Sequence, residues 1–188
     1  MKKAVCLFLA LSLLCLSSCV SFESYYPSQN EIVTLYKNNR RLFANAAAAA
    51  LRLCPDSYVS TTDYYRPANS DGIEGLYLAD RTDKAKEVVT SLDDRDILTL
   101  FEVCGVKSLS TRTEGELAGV EFSCGGSSNI YCGVYYISED RPVFLSDFAA
   151  ELDMYENGWK YEGKYGSISV RYYTEKIADN FYYYDAQA

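Results

Sequence analysis

The chain has 188 residues, 18 basic against 26 acidic, a net charge of -8 and no histidine. At 48% hydrophobic and 23% charged it has the composition of one globular domain, which excludes a disordered chain and a polytopic membrane protein. The missing imidazole excludes Ser-His-Asp and Cys-His catalysis and His-ligated zinc, and an acidic balance without a basic stripe excludes nucleic acid as a partner.

In chain order, Lys2 and Lys3 precede an apolar run over residues 4–16, and Ser17 and Ser18 follow it. That is the order of a secretory signal, with a core too short to span a bilayer. Leu16-Ser17-Ser18-Cys19 resembles the lipobox of bacterial lipoproteins, in which leucine and two small residues precede a cysteine at the end of the apolar core. The resemblance covers only residues 1–19. It implies cleavage before Cys19, a diacylated thiol there and an acylated amino group, which together supply enough acyl chain for stable anchoring. The expected organisation is a signal peptide over 1–18, a lipid-attached tether over 19–27 and a single domain over 28–188. The resemblance further implies that Val20 in place of Asp after the cysteine favours the outer membrane where the organism has two. Loss of 1–18 removes two lysines and no acid, so membrane association is expected from the acyl chains and not from the protein surface.

Ser28-Gln29-Asn30-Glu31 has the form of a capping box. Ile32, Leu35, Tyr36, Phe43, Ala46, Ala47, Ala50 and Cys54 then recur at helical spacing up to Pro55, which predicts one long helix. Strands are predicted over 58–65 and 75–79, around a loop at 67–72. One or two short helices are predicted over 83–104, with Gly105 as the C-terminal cap. Alternation over 118–124 and 130–137 predicts a hairpin in a register that sets Val120 opposite Tyr136, Phe122 opposite Val134 and Cys124 opposite Cys132. A short helix is predicted over 147–155 and strands over 159–161, 167–177 and 181–184. The fold class this implies is α+β, with an N-terminal long helix packed on an antiparallel β-meander.

Of the 7 cysteines, Cys6, Cys15 and Cys19 belong to the signal and the lipid site, which leaves Cys54, Cys104, Cys124 and Cys132. An even number in an exported domain predicts disulfides. The hairpin register pairs Cys124 with Cys132 and leaves Cys54 for Cys104; without a C-x-x-C knuckle, four-thiolate zinc is not expected.

The 18 tyrosines are the least ordinary feature, with pairs or triplets at 25–26, 64–65, 135–136, 172–173 and 182–184. Adjacent strand residues face opposite ways, so each pair sends one ring inward and one outward. Tyr135, Tyr161, Tyr173 and Tyr183 are the candidates for a row of exposed rings suited to glycans or peptides. The small polar loop 125–129, with Ser127 and Ser128, is the candidate contact loop of an inhibitor, because a pinned loop loses less entropy on binding. Asp93 and Asp94 fit a helix start, Glu139 and Asp140 fit a turn, and the Asn69, Asp71, Asp80 and Asp83 spacing fits no EF-hand. Tyr172 and Lys176 have the Y-x-x-x-K spacing of short-chain dehydrogenases, but in a strand pattern with no glycine-rich dinucleotide motif.

The expected function is therefore a non-enzymatic binding or interaction module, lipid-anchored in the cell envelope, with no cofactor, no metal and no catalytic residue. The expected partners are the membrane, through the lipid, and an envelope protein or cell-wall glycan. The alternatives are an inhibitor of an envelope hydrolase acting through 125–129 and a carboxylate-dependent hydrolase.

Overall fold

The computed structural model describes residues 26–61, 76–80, 88–126 and 129–188. Residues 1–25 with Cys19, the 67–72 loop with Asn69 and Asp71, Asp83, and Ser127 and Ser128 lie outside them.

The capping box forms as the Ser28 to Glu31 spacing requires. The Glu31 N–H donates to Ser28 Oγ at 3.4 Å, and the Ser28 N–H donates to Glu31 Oε2 at 2.8 Å. The expected long helix is, however, two helices, α1 (Gln29–Asn38) and α2 (Arg40–Leu53). Asn39 breaks it at φ -127 and ψ 24, with its side-chain amide donating to the Leu35 carbonyl at 2.9 Å and its N–H to the Tyr36 carbonyl at 3.0 Å. A short amide side chain that bonds its own backbone competes with helix continuation. Across the break Tyr36 and Phe43 still meet, with ring centroids 5.6 Å apart.

The next strands are β1 (Ser57–Thr61), β2 (Leu76–Asp80) and β3 (Val88–Leu92). The third corrects the helix expected over 83–104: Val88, Val89 and Thr90 are β-branched, and the segment pairs with β2. Among the described residues of that stretch, the helix is α3 (Arg95–Cys104). It starts at Asp94, whose carboxylate accepts the Asp96 and Ile97 N–H groups at 3.1 Å each, and ends at Gly105 in the left-handed conformation, φ 64.

The remaining strands are β4 (Ser108–Glu114), β5 (Leu117–Gly126), β6 (Ile130–Ile137), β7 (Asp153–Tyr155), β8 (Gly158–Tyr165), β9 (Ile168–Ala178) and β10 (Phe181–Gln187). With β1 to β3 they form one antiparallel sheet in the order β3-β2-β1-β4-β5-β6-β10-β9-β8-β7. The fold is therefore α+β, strand-dominated and built from three successive meanders. The last meander runs backwards, so the C-terminal strand β10 lies against β6 in mid-sheet.

The β5–β6 hairpin takes the expected register from Gly119 opposite Ile137 to Ser123 opposite Gly133, including Val120 with Tyr136 and Phe122 with Val134. A bulge at Cys124 then puts Gly125 opposite Cys132, so Cys124 is not the cross-strand partner of Cys132. Gly133 is required within this hairpin: a Cβ there would fall 2.0 Å from the Phe122 carbonyl oxygen.

Each face of the sheet is covered by a different layer. On one face, α1, α2 and α3 bury Ile32, Phe43, the small side chains Ala46, Ala47 and Ala50, and Leu100 against Val59, Leu109, Phe122 and Val134. Phe43 meets Phe122 edge-on at 5.2 Å. On the other face the expected helix over 147–155 is absent. The chain from 139 to 152 is irregular, with an isolated bridge between Phe144 and Asp147, and residues 153–155 are strand β7. Over 147–155 only Phe148 is buried, so the segment has no apolar stripe for a helix to lay on the sheet, and the consecutive buried residues Val143, Phe144 and Leu145 supply the cover ahead of it. They pack with Phe148 on Tyr135, Tyr172, Tyr182 and Tyr184.

Candidate functional site

Strand alternation divides the last meander into two sets of side chains. One set, including Trp159, Tyr161, Val170, Tyr172, Tyr182 and Tyr184, belongs to the core beneath 143–148. The other set shares the helix side of the sheet, and the register assembles it into two cross-strand rows. Asp153, Lys160, Tyr173 and Asp185 form the first row, and Glu162, Arg171 and Gln187 the second. Helix α1 packs on β6 and β10 and reaches β9 only through Gln29 at Glu175, so most of these rows lies beyond the helical layer. They floor an open depression of about 320 Å³ lined by Tyr155, Lys160, Glu162, Arg171, Tyr173, Asp185 and Gln187. A second one, of about 440 Å³, shares Glu162, Arg171 and Gln187 and continues to Ser169 and Ala188.

Two acids of this face, Asp185 and Glu175, are already held. Asp185 Oδ2 accepts from the Tyr26 hydroxyl at 2.5 Å and from the Tyr183 hydroxyl at 3.3 Å. Glu175 Oε2 accepts from Gln29 Nε2 at 2.7 Å and from the Tyr173 hydroxyl at 3.0 Å. Lys160 Nζ stands over the Tyr155 ring, 4.9 Å from its centroid, and 3.9 Å from Glu162 Oε1. Arg171 makes no ion pair or hydrogen bond among the described residues. Burial, followed by the hydrogen bond to Glu175, pushes the Tyr173 hydroxyl up to about 12. Burial and Asp185 raise Tyr26 and Tyr183 further, so all three hydroxyls are neutral donors near pH 7.

Of the four tyrosines expected to form an exposed row, only Tyr173 lies in this depression. Tyr135 is fully buried on the opposite face, stacked on Tyr182 with centroids 5.0 Å apart. Tyr161 also faces that way, stacked on Phe144 at 4.9 Å, and Tyr183 is 3% exposed in the helix-side core. Alternation does split the pairs at 135–136 and 172–173, but β6 and β10 are covered on both faces, so the rings on those two strands pack into the core on either side. Tyr155, Lys160, Arg171 and Gln187 are the residues that sequence reasoning missed. For Lys160 the signal was the alternation of charged with aromatic or glycine residues in Trp159-Lys160-Tyr161-Glu162-Gly163-Lys164, which marks an uncovered strand face.

The four described cysteines are free, buried thiols, and neither expected disulfide is present. The bulge removes the premise of the Cys124–Cys132 pairing. Cys104 and Cys124 instead share the wall of a mostly apolar cavity of about 240 Å³ with Pro27, Ile32 and Leu35. Burial pushes the Cys54 thiol up to about 11 and Cys124 and Cys132 up to about 12.

Asp94, Glu139 and Asp140 are engaged in local contacts. Asp94 caps α3, and Asp140 accepts from the Asn180 N–H at 3.0 Å and the Tyr182 hydroxyl at 3.1 Å while pairing with Lys176. Glu139 pairs with Arg141 at 3.1 Å. Tyr172 lies in the core and Lys176 is committed to Asp140, so the Y-x-x-x-K spacing builds no site. Among the described residues no helix is long and apolar enough to cross a membrane, and no group of three or more potential metal ligands converges. No family model, curated protein or solved structure matches the chain, so what this face can bind follows from its own side chains.

Proposed function

We propose that the chain is a lipid-anchored cell-envelope protein whose domain is a non-enzymatic binding module, and that it binds through the helix-side face of β7 to β10. The observation that carries this reading is the pair of cross-strand rows left uncovered beyond the helices. A grid of Lys160, Tyr173, Glu162, Arg171 and Gln187 offers hydrogen bonds and ring surface to a polar ligand. Its rigidity comes from the sheet beneath it and from the bonds that fix Asp185 and Glu175. A rigid, preorganised surface loses little conformational entropy on binding. The lipobox resemblance supplies the anchor, through Cys19, and the outer membrane is the favoured location where two membranes exist.

Two measurements test the reading. The full chain in detergent is immobilised against purified cell-wall sacculi and against solubilised envelope protein from the source organism. Retention of either partner is expected, and Tyr155→Ala with Tyr173→Ala should abolish it while Tyr165→Ala with Ile168→Ala, at the exposed β8–β9 turn, leaves it intact. Retention of neither, or equal retention by both double variants, overturns the binding face. The anchor is tested separately by Cys19→Ser, which is expected to release the protein from the membrane fraction.

A further inference from the structure

Taking the binding face as the site, we infer that its ligand is an acidic polysaccharide, with a sugar carboxylate on Arg171 and a sugar ring against Tyr173. The inference starts from which groups still lack partners. Asp185 has two tyrosine hydroxyls, Glu175 has the Gln29 amide and the Tyr173 hydroxyl, and Lys160 is shared between Tyr155 and Glu162. Asp185 and Glu175 are thus supplied from within, whereas the Arg171 guanidinium has five donors and no acceptor among the described residues, and Glu162 opposite it in the register lies 3.9 Å from Lys160. The unmet demand is for an anion, and a planar fork of N–H groups matches a carboxylate with two parallel bonds.

The shape favours a chain of sugars. Glu162, Arg171 and Gln187 line both depressions, so the two open depressions adjoin at that row and succeed one another along the strands. The Tyr173 row and the Arg171 row are two residues apart, about 7 Å along the strand, so one ligand unit can stack on the ring while it or its neighbour reaches the guanidinium. Tyr155 and Tyr173 stand nearly edge-to-face, at 85° with centroids 6.3 Å apart, which gives the track an aromatic wall as well as an aromatic floor. Hydroxyl-rich rings suit the remaining Glu162 and Gln187, which accept and donate. The overall charge of -8 opposes a polyanion at long range, but at physiological ionic strength screening confines that repulsion to about 8 Å, and the local cations decide.

The test is a calorimetric titration of the full chain in detergent at physiological ionic strength. The probes are oligosaccharides of a uronic acid, the same oligosaccharides after carboxyl reduction, and neutral dextran. Binding of the uronic-acid form is expected, falling at least about tenfold on carboxyl reduction and about tenfold or more for Arg171→Gln, as loss of a charge-assisted pair implies. Arg171→Lys should recover part of the loss. Arg171 is exposed, and an unchanged melting curve for its variants confirms that folding is intact. Equal binding of the native and reduced forms overturns the carboxylate inference and leaves the binding face standing. Binding of no saccharide, with an envelope protein retained and released by Tyr155→Ala with Tyr173→Ala, overturns it in favour of a protein ligand. No ligand of either kind overturns both the inference and the face.

Discussion

The helix side of the sheet has two halves built from the same strand alternation. Over β4 to β6 and β10 the side chains on that side include Leu109, Phe122, Val134, Phe181 and Tyr183, all buried; over β8 and β9 they are Lys160, Glu162, Arg171 and Tyr173, exposed or half-buried. The two halves meet at β10 and β9, where Tyr26 bonds Asp185 and Gln29 of α1 bonds Glu175. The difference teaches that a tyrosine on a strand becomes core or surface according to what lies over it. Alternation decides only which face it takes.

The sharpest way to break the comparison is to truncate matched positions in the two halves. Phe122→Ala, at a fully buried ring under α2, is expected to cost about 3–5 kcal/mol, read as a lowered urea midpoint with an unchanged slope. A smaller loss would mean that the helical layer closes over the gap.

Alkali probes the covered tyrosines together. Burial pushes Tyr135 up to about 12 and holds Tyr172 and Tyr184 well above the ordinary tyrosine range. The folded state therefore keeps protons that the unfolded chain releases near about pH 10. Their contribution is fully present below that pH and is lost as pH rises through about 12 and beyond. Tyrosinate absorbance is expected to grow in step with unfolding; its full appearance in a still-folded chain would contradict the tyrosine core. The same burial governs the thiols: Cys54, Cys104, Cys124 and Cys132 are expected to resist alkylation in the native chain near pH 8 and to react on addition of denaturant.

A subtler change is Tyr135→Phe. Its hydroxyl accepts the Val143 N–H at 3.1 Å and lies 3.1 Å from the Thr174 hydroxyl, which donates to the Tyr183 carbonyl at 2.8 Å. Removing it should cost about 1–2 kcal/mol, because the Val143 N–H is left buried without its acceptor. The smallest effect belongs to the uncovered half: Arg171→Gln and Tyr155→Ala should each change stability by less than about 0.5 kcal/mol in the same urea titration. A larger loss at either would move that residue from recognition to structure.

What was legible in the sequence was local. The Ser28 and Glu31 capping box, the Asp94 start and Gly105 stop of α3, and the hairpin register from Gly119 to Ser123 each follow from residues close together in the chain. What was not legible depended on distant cover or on a one-residue event. Asn39 breaks a helix that its apolar spacing would continue, and a bulge at Cys124 undoes a cysteine pairing that alternation favoured. Val88-Val89-Thr90 sits close enough to a helical pattern to be absorbed into it, yet its partner strand β2 decides its state. Of the proposed site, Tyr173 was named from the sequence. Arg171 was not, because its lack of a partner is visible only when β8, β9 and β10 are set side by side.

The bond from Tyr26 to Asp185 joins residues 159 apart in the chain, at the point where the described structure begins. A pull applied at Tyr26 acts on β10 through that bond as well as on α1 along the chain. That strand is flanked on both sides by β6 and β9, with seven paired positions against each. Load carried by that bond thus enters mid-sheet, where a strand can leave only by shearing two ladders at once, and bypasses the three-residue edge strand β7 that would peel first.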